Sequence, residues 1–269
     1  MAMAMSVFLN FLFPPPPSLF VTTMSVITAV SLAKAGFSEV KGEHLNYSKF
    51  WNVNNAIAKK QMKNLSSRNG MLLLYIPAFL AGAASFWVFP NESFRSMILQ
   101  GAVTVHFFKR VFEVLFVHKY SGSMAVDSAI PISLSYFLSS ATIIYAQHLT
   151  LEFPEPPINL LYPGIALFLV GIIGNFYHHY LLSKLREKGE KEYKIPKGGL
   201  FDYVICPHYL FEIIGFYGFS FISQTLYGFS FALGTTFYLL GRSYATRRWY
   251  VSKFEDFPKN VKAIIPFFF

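Results

Sequence analysis

An all-α, polytopic integral membrane protein with about seven transmembrane helices is the fold class this sequence predicts. Of its 269 residues 54% are hydrophobic, 19% aromatic and only 14% charged, against roughly 25% charged in an ordinary soluble domain. Apolar runs recur at about 20 residues, the length that a hydrocarbon core about 30 Å thick demands of a helix. The basic residues behind the net charge of +9 fall on one side of those runs.

The spans are placed at 18–34, 71–89, 94–117, 130–147, 160–182, 203–222 and 227–245. Each must satisfy its own backbone groups in the absence of water, which at these lengths means helix; a barrel would need alternating segments of about ten residues, and none is seen. With the N-terminus lumenal, the loops after spans one, three and five, the inner end of span three and the tail face the cytosol. Those regions hold every Lys and Arg except Arg95, while Glu92, Glu152 and Glu155 fall in lumenal loops. Positive charge is retained on the cytoplasmic side of such proteins, so the charge points to topology and not to nucleic acid. The single cysteine, Cys206, excludes an internal disulfide framework and a multi-cysteine zinc site. The apolar stretch before Pro14 lacks a basic n-region and a small-residue cleavage site and is expected to be retained. No repeat or second compact domain is visible, so residues 1–269 form one membrane domain; the longest polar stretches are 36–70 and 186–199.

Ionisable groups inside spans cost roughly 2.5–3.5 kcal/mol each at a helix centre, which makes each a functional candidate. Span three carries His106, Lys109, Arg110 and Glu113 at helical spacing; span five carries Asn175 and His179, with Arg186 further along; Pro207 suits the first turn of span six, with His208 and Glu212 one turn apart; span seven carries Arg242, Thr246 and Tyr250. Structural readings stand beside the functional one. Lys109 and Arg110 could snorkel to the interface with Glu113 neutralising them, Arg242, Arg247 and Arg248 could be a positive-inside anchor, and His178 and His179 could be interface residues. All four stripes nevertheless converge on the cytosolic half, which separate anchors would not require. No G-x-G-x-x-G, Walker loop or H-E-x-x-H occurs, and the seven histidines are too scattered for a di-iron site, so no metal is expected.

From Asn175 the segments GNFYHHYLLSKLR, EYKIPKGGLFDYVICPHYLFEIIG and GRSYATRRWYVSKFEDFPKNVKAIIPFFF resemble the C-terminal half of the steroid 5α-reductase family, which includes very-long-chain enoyl-CoA reductases and polyprenol reductases. Span three, KRVFEVLFVHKYS, looks closer to the enoyl-CoA reductase branch. The resemblance implies a seven-helix endoplasmic-reticulum enzyme in which NADPH taken from the cytosol and a lipid substrate share a cavity. Residues 1–150 would supply the substrate-side helices and 151–269 the NADPH-binding region. It places the cofactor-binding side chains on Asn175, Arg186, Tyr193, Lys194, Glu212, Arg242 and Tyr250. His208 takes a seat where many relatives have Asn, and His179 one where the steroid branch has Asp and the enoyl-CoA branch His. Arg186 and Lys194 suit phosphates, and Asn175 and Glu212 the amide and ribose. Val261 replaces a basic residue common in the tail, with Lys262 next to it.

The N-terminal half departs from the family. Steroid reductases carry a Glu two residues before a span-two proline and a Tyr after the span-three His; here Tyr75 precedes Pro77 and Phe107 follows His106. The carbonyl-polarising donor is therefore expected to be Tyr75, helped by His106 or Arg110. The substrate is a lipid, either a 3-oxo-Δ4-steroid or a trans-2-enoyl-CoA, for which Lys59, Lys60, Lys63 and Arg68 would form a second basic patch; a polyprenol has no specific support. The remaining alternatives are a membrane S-adenosylmethionine-dependent methyltransferase, disfavoured because SYATRRWY and not paired glutamates follows Arg242, and a seven-span receptor or transporter.

Overall fold

The computed structural model describes residues 10–16, 18–52, 63–90, 93–185, 187, 190 and 192–269. Among them are seven long helices: α1 (Leu19–Lys41), α2 (Ser67–Val88), α3 (Phe94–Phe112), α4 (Val126–His148), α5 (Leu161–Lys184), α6 (Pro207–Ser223) and α7 (Leu226–Lys253). Hydroxyl side chains of Ser18, Ser66, Ser93 and Thr225 accept backbone N–H groups at the starts of α1, α2, α3 and α7, which supplies partners for donors a helix leaves orphaned. Pro207 opens α6 as expected, its missing N–H costing nothing in a first turn. α1, α2, α4 and α5 are long and apolar enough to cross a membrane. α3 carries Arg95, Lys109 and Arg110, α6 has 17 residues, and α7 carries Arg242, Arg247 and Arg248.

Several element edges differ from the hydropathy pattern. α1 runs on to Lys41 and α7 to Lys253, their added turns carrying the buried Glu39 and Tyr250 beside exposed neighbours. α6 starts later than position 203: Gly198 and Gly199 take positive φ (86° and 56°), a short 3-10 turn follows at Gly199–Asp202, and residues 204–206 pair with the C-terminal tail. Ile205 and Cys206 donate to the carbonyls of Lys262 and Ala263 at 2.9 and 3.1 Å. A two-stranded antiparallel ribbon, β1 (Asn64–Ser66) with β2 (Ser123–Ala125), departs from a purely helical expectation and brings the starts of α2 and α4 together.

The closest helix pairs are α5 with α6 and α1 with α7. Lipid provides no hydrophobic drive between helices, so small residues that admit close backbone approach hold such pairs. A Cβ at Gly171 would stand against the backbone of Gly215, and one at Gly36 would lie 2.7 Å from the carbonyl carbon of Phe237. In α2, Pro77 cannot donate to the carbonyl of Leu73 four residues back; Ser133 of α4 donates to that carbonyl instead, at 2.7 Å. The repair locks α2 to α4 two residues from Tyr75. Arg95, the lone basic residue assigned to the lumenal side, is 2% exposed and donates to Glu155, Asn159, Gln224 and the carbonyl of Ile222, binding the ends of α3, α5 and α6.

Overpacking at such a contact costs about 1–3 kcal/mol. Gly36→Val is therefore expected to lower the thermal midpoint in detergent by several degrees, whereas Gly101→Val, where an added Cβ meets nothing within 4 Å, should leave it within a degree or two; equal midpoints would refute the assignment of α1–α7 packing to Gly36.

Candidate functional site

The seven helices enclose a cavity of about 880 Å³, at the large end of the roughly 300–1,000 Å³ typical of small-molecule sites. Leu32, Leu74, Ile132, Phe231 and Leu239 line its apolar part, and Arg110, His179, Lys194, His208, Glu212 and Arg242 line its polar part. Of the residues expected from sequence, the structure brings Tyr75, Arg110, His179, Tyr193, Lys194, His208, Glu212, Arg242 and Tyr250 to one wall surface. Arg186, Lys59 and Lys60 lie outside the described residues. His106 does not reach the wall: its ring packs among Phe107, Phe216 and Phe219, 4.9–5.7 Å between centroids. Lys63, Arg68 and Lys262 are not wall residues either. The Arg68 guanidinium donates to the carbonyl of Leu115, and Lys262 pairs through its backbone with Tyr203 and Ile205. Val261 is 5% exposed and packs with Ile205, Cys206, Tyr250 and Phe257.

Behind the polar wall runs a buried network centred on Glu113, which is fully buried. Its carboxylate pairs with Arg110 Nη1 at 2.5 Å, Lys109 Nζ at 3.2 Å and His179 Nδ1 at 3.1 Å. Lys109 also donates to Asn175, whose amide donates to the carbonyl of His208 at 2.8 Å and reaches Glu212 at 3.5 Å. Asn175 therefore stands behind the wall and carries α3 through α5 to α6. Lys109 and Arg110 do not snorkel; they are 9% and 7% exposed, held inward because Glu113 and Asn175 supply partners in a medium where an unpaired charge costs several kcal/mol. The helix makes room for this by widening to a π turn at Glu113–Val117, where His118 N–H donates to the carbonyl of Glu113 at 2.8 Å; such turns concentrate at functional sites. His178 is structural and stands apart from this network. Its Nδ1 meets the carbonyl of Gly174 at 2.7 Å and its Nε2 accepts from Leu200 N–H at 3.1 Å, anchoring the turn before α6.

Arg110 Nη2 donates to the Tyr75 hydroxyl oxygen at 2.5 Å, with the guanidinium 4.6 Å from that ring's centroid. The phenol's own proton is left available for a ligand. His208 Nδ1 is buried and has no partner among the described residues, and Thr235 Oγ1 is likewise without one. Thr236 next to it bonds the carbonyl of Ala232, whereas Thr235, which lines the cavity, makes no such bond among the described residues. Leaving such a group unpaired costs about 1–3 kcal/mol, which a bound ligand would recover. Glu113, His118 and His179 place one ligand atom each within 4.8 Å of one another, a spacing a metal could use. Arg110 Nη1 already donates to the same Glu113 oxygen and stands 2.9 Å from His179 Nδ1, so a guanidinium is packed against two of these three groups.

Sequence reasoning passed over Glu39, Tyr47, Lys49 and His118. Tyr47, Lys49 and His118 line the cavity, and Lys49 Nζ lies 3.3 Å from Thr246 Oγ1 and 5.1 Å from the Tyr250 ring centroid. The signal for Glu39 was an ionisable residue in the helical continuation of span one; for Lys49 there was none, since nothing local distinguishes it from other loop lysines.

Fold and site together define a helical membrane protein with a charged, hydrogen-bonding cavity among its helices. The family model described as 3-oxo-5-alpha-steroid 4-dehydrogenase matches residues 124–269. The chain is 32% identical over 219 residues to the 3-oxo-5-alpha-steroid 4-dehydrogenase 2 of Macaca fascicularis, covering 78% of this chain and 84% of that one. It is 34% identical over 178 residues to a very-long-chain enoyl-CoA reductase of Dictyostelium discoideum, covering 65% and 59%. It is 46% identical over 104 residues to the 3-oxo-5-alpha-steroid 4-dehydrogenase 1 of Rattus norvegicus, covering 39% and 40%. The chain thus spans about half the length of the last two relatives, and it belongs to the 3-oxo-5-alpha-steroid 4-dehydrogenase family.

His118, in the loop after the π turn, is held well below the ordinary imidazole range by burial, with the nearby His179 and Arg110 adding to the effect. A buried imidazole that stays neutral binds its proton only in the unfolded chain below pH of about 6.5, so its contribution is present above that pH and lost as pH falls. The thermal midpoint should drop between pH 7.5 and 5.5, and His118→Gln should flatten that drop; an unchanged slope would remove His118 as its source.

Proposed function

We propose that the protein is an NADPH-dependent reductase of a lipid C=C bond conjugated to a carbonyl, of the 3-oxo-Δ4-steroid 5α-reductase type. It would sit in the endoplasmic reticulum membrane with seven spans, N-terminus lumenal and C-terminus cytosolic. The observation that carries the reading is the convergence of Tyr75 and Arg110 with His208, Lys194, Glu212, Arg242 and Tyr250 on one cavity. The residues fit a dinucleotide: Lys194, with Arg186 by resemblance, offers cations for phosphates; the Tyr193 and Tyr250 rings, each packed on Trp249 at 4.8 and 5.0 Å, form an aromatic wall; and His208 Nδ1 has no partner among the described residues. When bound, the cofactor supplies hydride to the β-carbon of the unsaturated carbonyl compound.

The chain's part is orientation and electrostatics. Charge develops on the carbonyl oxygen, and a positioned donor there is worth about 10²- to 10³-fold in rate. Tyr75 is that donor in this reading. Arg110 donates to its oxygen, polarises its O–H and leaves that proton for the substrate, while Glu113 keeps Arg110 in place. The Ser133 bond to Leu73 fixes the turn of α2 that carries Tyr75. His106, packed among phenylalanines, is given no direct contact with substrate.

The enoyl-CoA reading is the second one, favoured by His179 in the seat that the resemblance gives to that branch and by the 34% identity to the Dictyostelium enzyme. Thr235 favours a steroid, because an unpaired hydroxyl in an apolar region suits an oxygen-bearing lipid better than a plain acyl chain. Purified protein with NADPH, offered progesterone and a long-chain trans-2-enoyl-CoA in parallel, decides between them by nicotinamide oxidation; oxidation with neither would refute the reading.

Tyr75→Phe should lower turnover about 10²-fold and leave NADPH affinity within twofold; an unimpaired variant removes Tyr75 from the mechanism. Lys194→Ala and Arg186→Ala should instead weaken NADPH binding in a cofactor titration, with the loss shrinking as salt rises.

A further inference from the structure

We propose that Glu39 of α1 is a positioning residue that fixes the Arg242 guanidinium in the cavity wall, so that the first helix completes the cofactor site; this rests on the NADPH reading above.

Arg242 is 1% exposed and Glu39 1% exposed. Arg242 Nη1 donates to Glu39 Oε1 at 2.6 Å and Nη2 to the carbonyl of Tyr47 at 3.4 Å. The guanidinium lies between two rings, 4.2 Å from the Tyr47 centroid and 4.1 Å from that of Phe50. The carboxylate is held in turn. Gly42 ends α1 in the left-handed region, with φ of 95°, and its N–H returns to the carbonyl of Glu39. That reversal folds the chain back so that Leu45 N–H donates to Glu39 Oε1 at 3.3 Å and His44 Nδ1 meets Oε2 at 2.7 Å. Every contact of this set comes from the segment 39–50, none of which falls in the stretch matched by the family model.

Stability does not account for the pair. α1 and α7 already pack through Gly36 against Phe237 and Gly241 against Gly36, and a buried ion pair of this kind is often no more stabilising than apolar residues of the same volume. What it provides is direction and charge balance. A guanidinium has five N–H donors in a fixed plane; with one edge clamped by Glu39 and both faces covered, the remaining donors can point only along the wall. Glu39 also cancels the charge of Arg242, so Arg242 acts as an oriented donor to an uncharged acceptor of the cofactor.

The test is NADPH affinity of full-length protein in detergent, with thermal midpoints measured alongside. Glu39→Gln should raise the Kd about tenfold and, because it leaves the buried Arg242 charge unpaired, lower the thermal midpoint as well. Combining Glu39→Gln with Arg242→Gln should bind no worse than Arg242→Gln alone, because Glu39 acts only through Arg242. Glu39→Asp keeps the charge but draws it back by one methylene, and should weaken binding several-fold in a folded protein. A wild-type Kd in Glu39→Gln, or additive losses in the double variant, overturns the proposal. Should Glu39→Gln not be recovered folded, a wild-type Kd in Glu39→Asp overturns it alone. A wild-type protein that binds no NADPH overturns the cofactor reading itself, a different result from wild-type binding that Glu39 does not affect.

Discussion

Charge buried among membrane helices must find a partner, and that requirement organises this protein. Three arginines, Arg95, Arg110 and Arg242, are each less than 10% exposed and each meets a carboxylate: Glu155, Glu113 and Glu39. Removing the buried partner of Arg110 or Arg242 would leave an uncompensated charge at a cost of about 3–5 kcal/mol, and each of the three pairs fixes the helices around it. Arg95 gathers the ends of α3, α5 and α6. Arg110 with Glu113, Lys109 and Asn175 ties α3 to α5 and α6 and reaches α2 at Tyr75. Arg242 joins α7 to the end of α1.

The helices between these pairs touch through glycine, where backbones approach closely, and part where tyrosine, phenylalanine and leucine stand at the wall. A cavity among helices results from that alternation: tight contact along α5–α6 and α1–α7, separation between the pairs. The backbone defect at Pro77 follows from the same need to satisfy polar groups, since in a dry interior the freed Leu73 carbonyl needs a donor and Ser133 provides one. Local irregularity at Pro77, at the π turn after Phe112 and at Gly198–Gly199 lies next to wall residues in each case, which is where departures from ideal geometry are expected to collect.

The functional consequence is a site whose walls come from both halves of the chain. The C-terminal half carries the segments that resemble the family most strongly, and its tail is threaded back to the start of α6, where Arg247 donates to the carbonyls of Val261 and Lys259 at 2.7 and 3.0 Å. The closing residues of the tail, distinctive in sequence, serve here to brace the loop from which His208 begins its helix. The N-terminal half supplies the apolar lining, the Tyr75 hydroxyl and the groups that clamp Arg242.

By itself the sequence determined the helical membrane class, because apolar run length and charge placement are local properties read directly from composition. It also determined the polar stripes on α3, α5, α6 and α7, because spacing of three and four residues fixes a helix face whatever the partner. It did not determine which stripe members reach the cavity: His106 and Arg110 share a helix and a spacing, yet one packs against Phe216 and the other against Tyr75. Nor could it place Glu39 against Arg242, 203 residues apart, since a pairing between the first helix and the last depends on how Gly36, Gly241 and the turn at Gly42 pack in three dimensions. Faces are set by the chain's own periodicity; partners are set only when the helices come together.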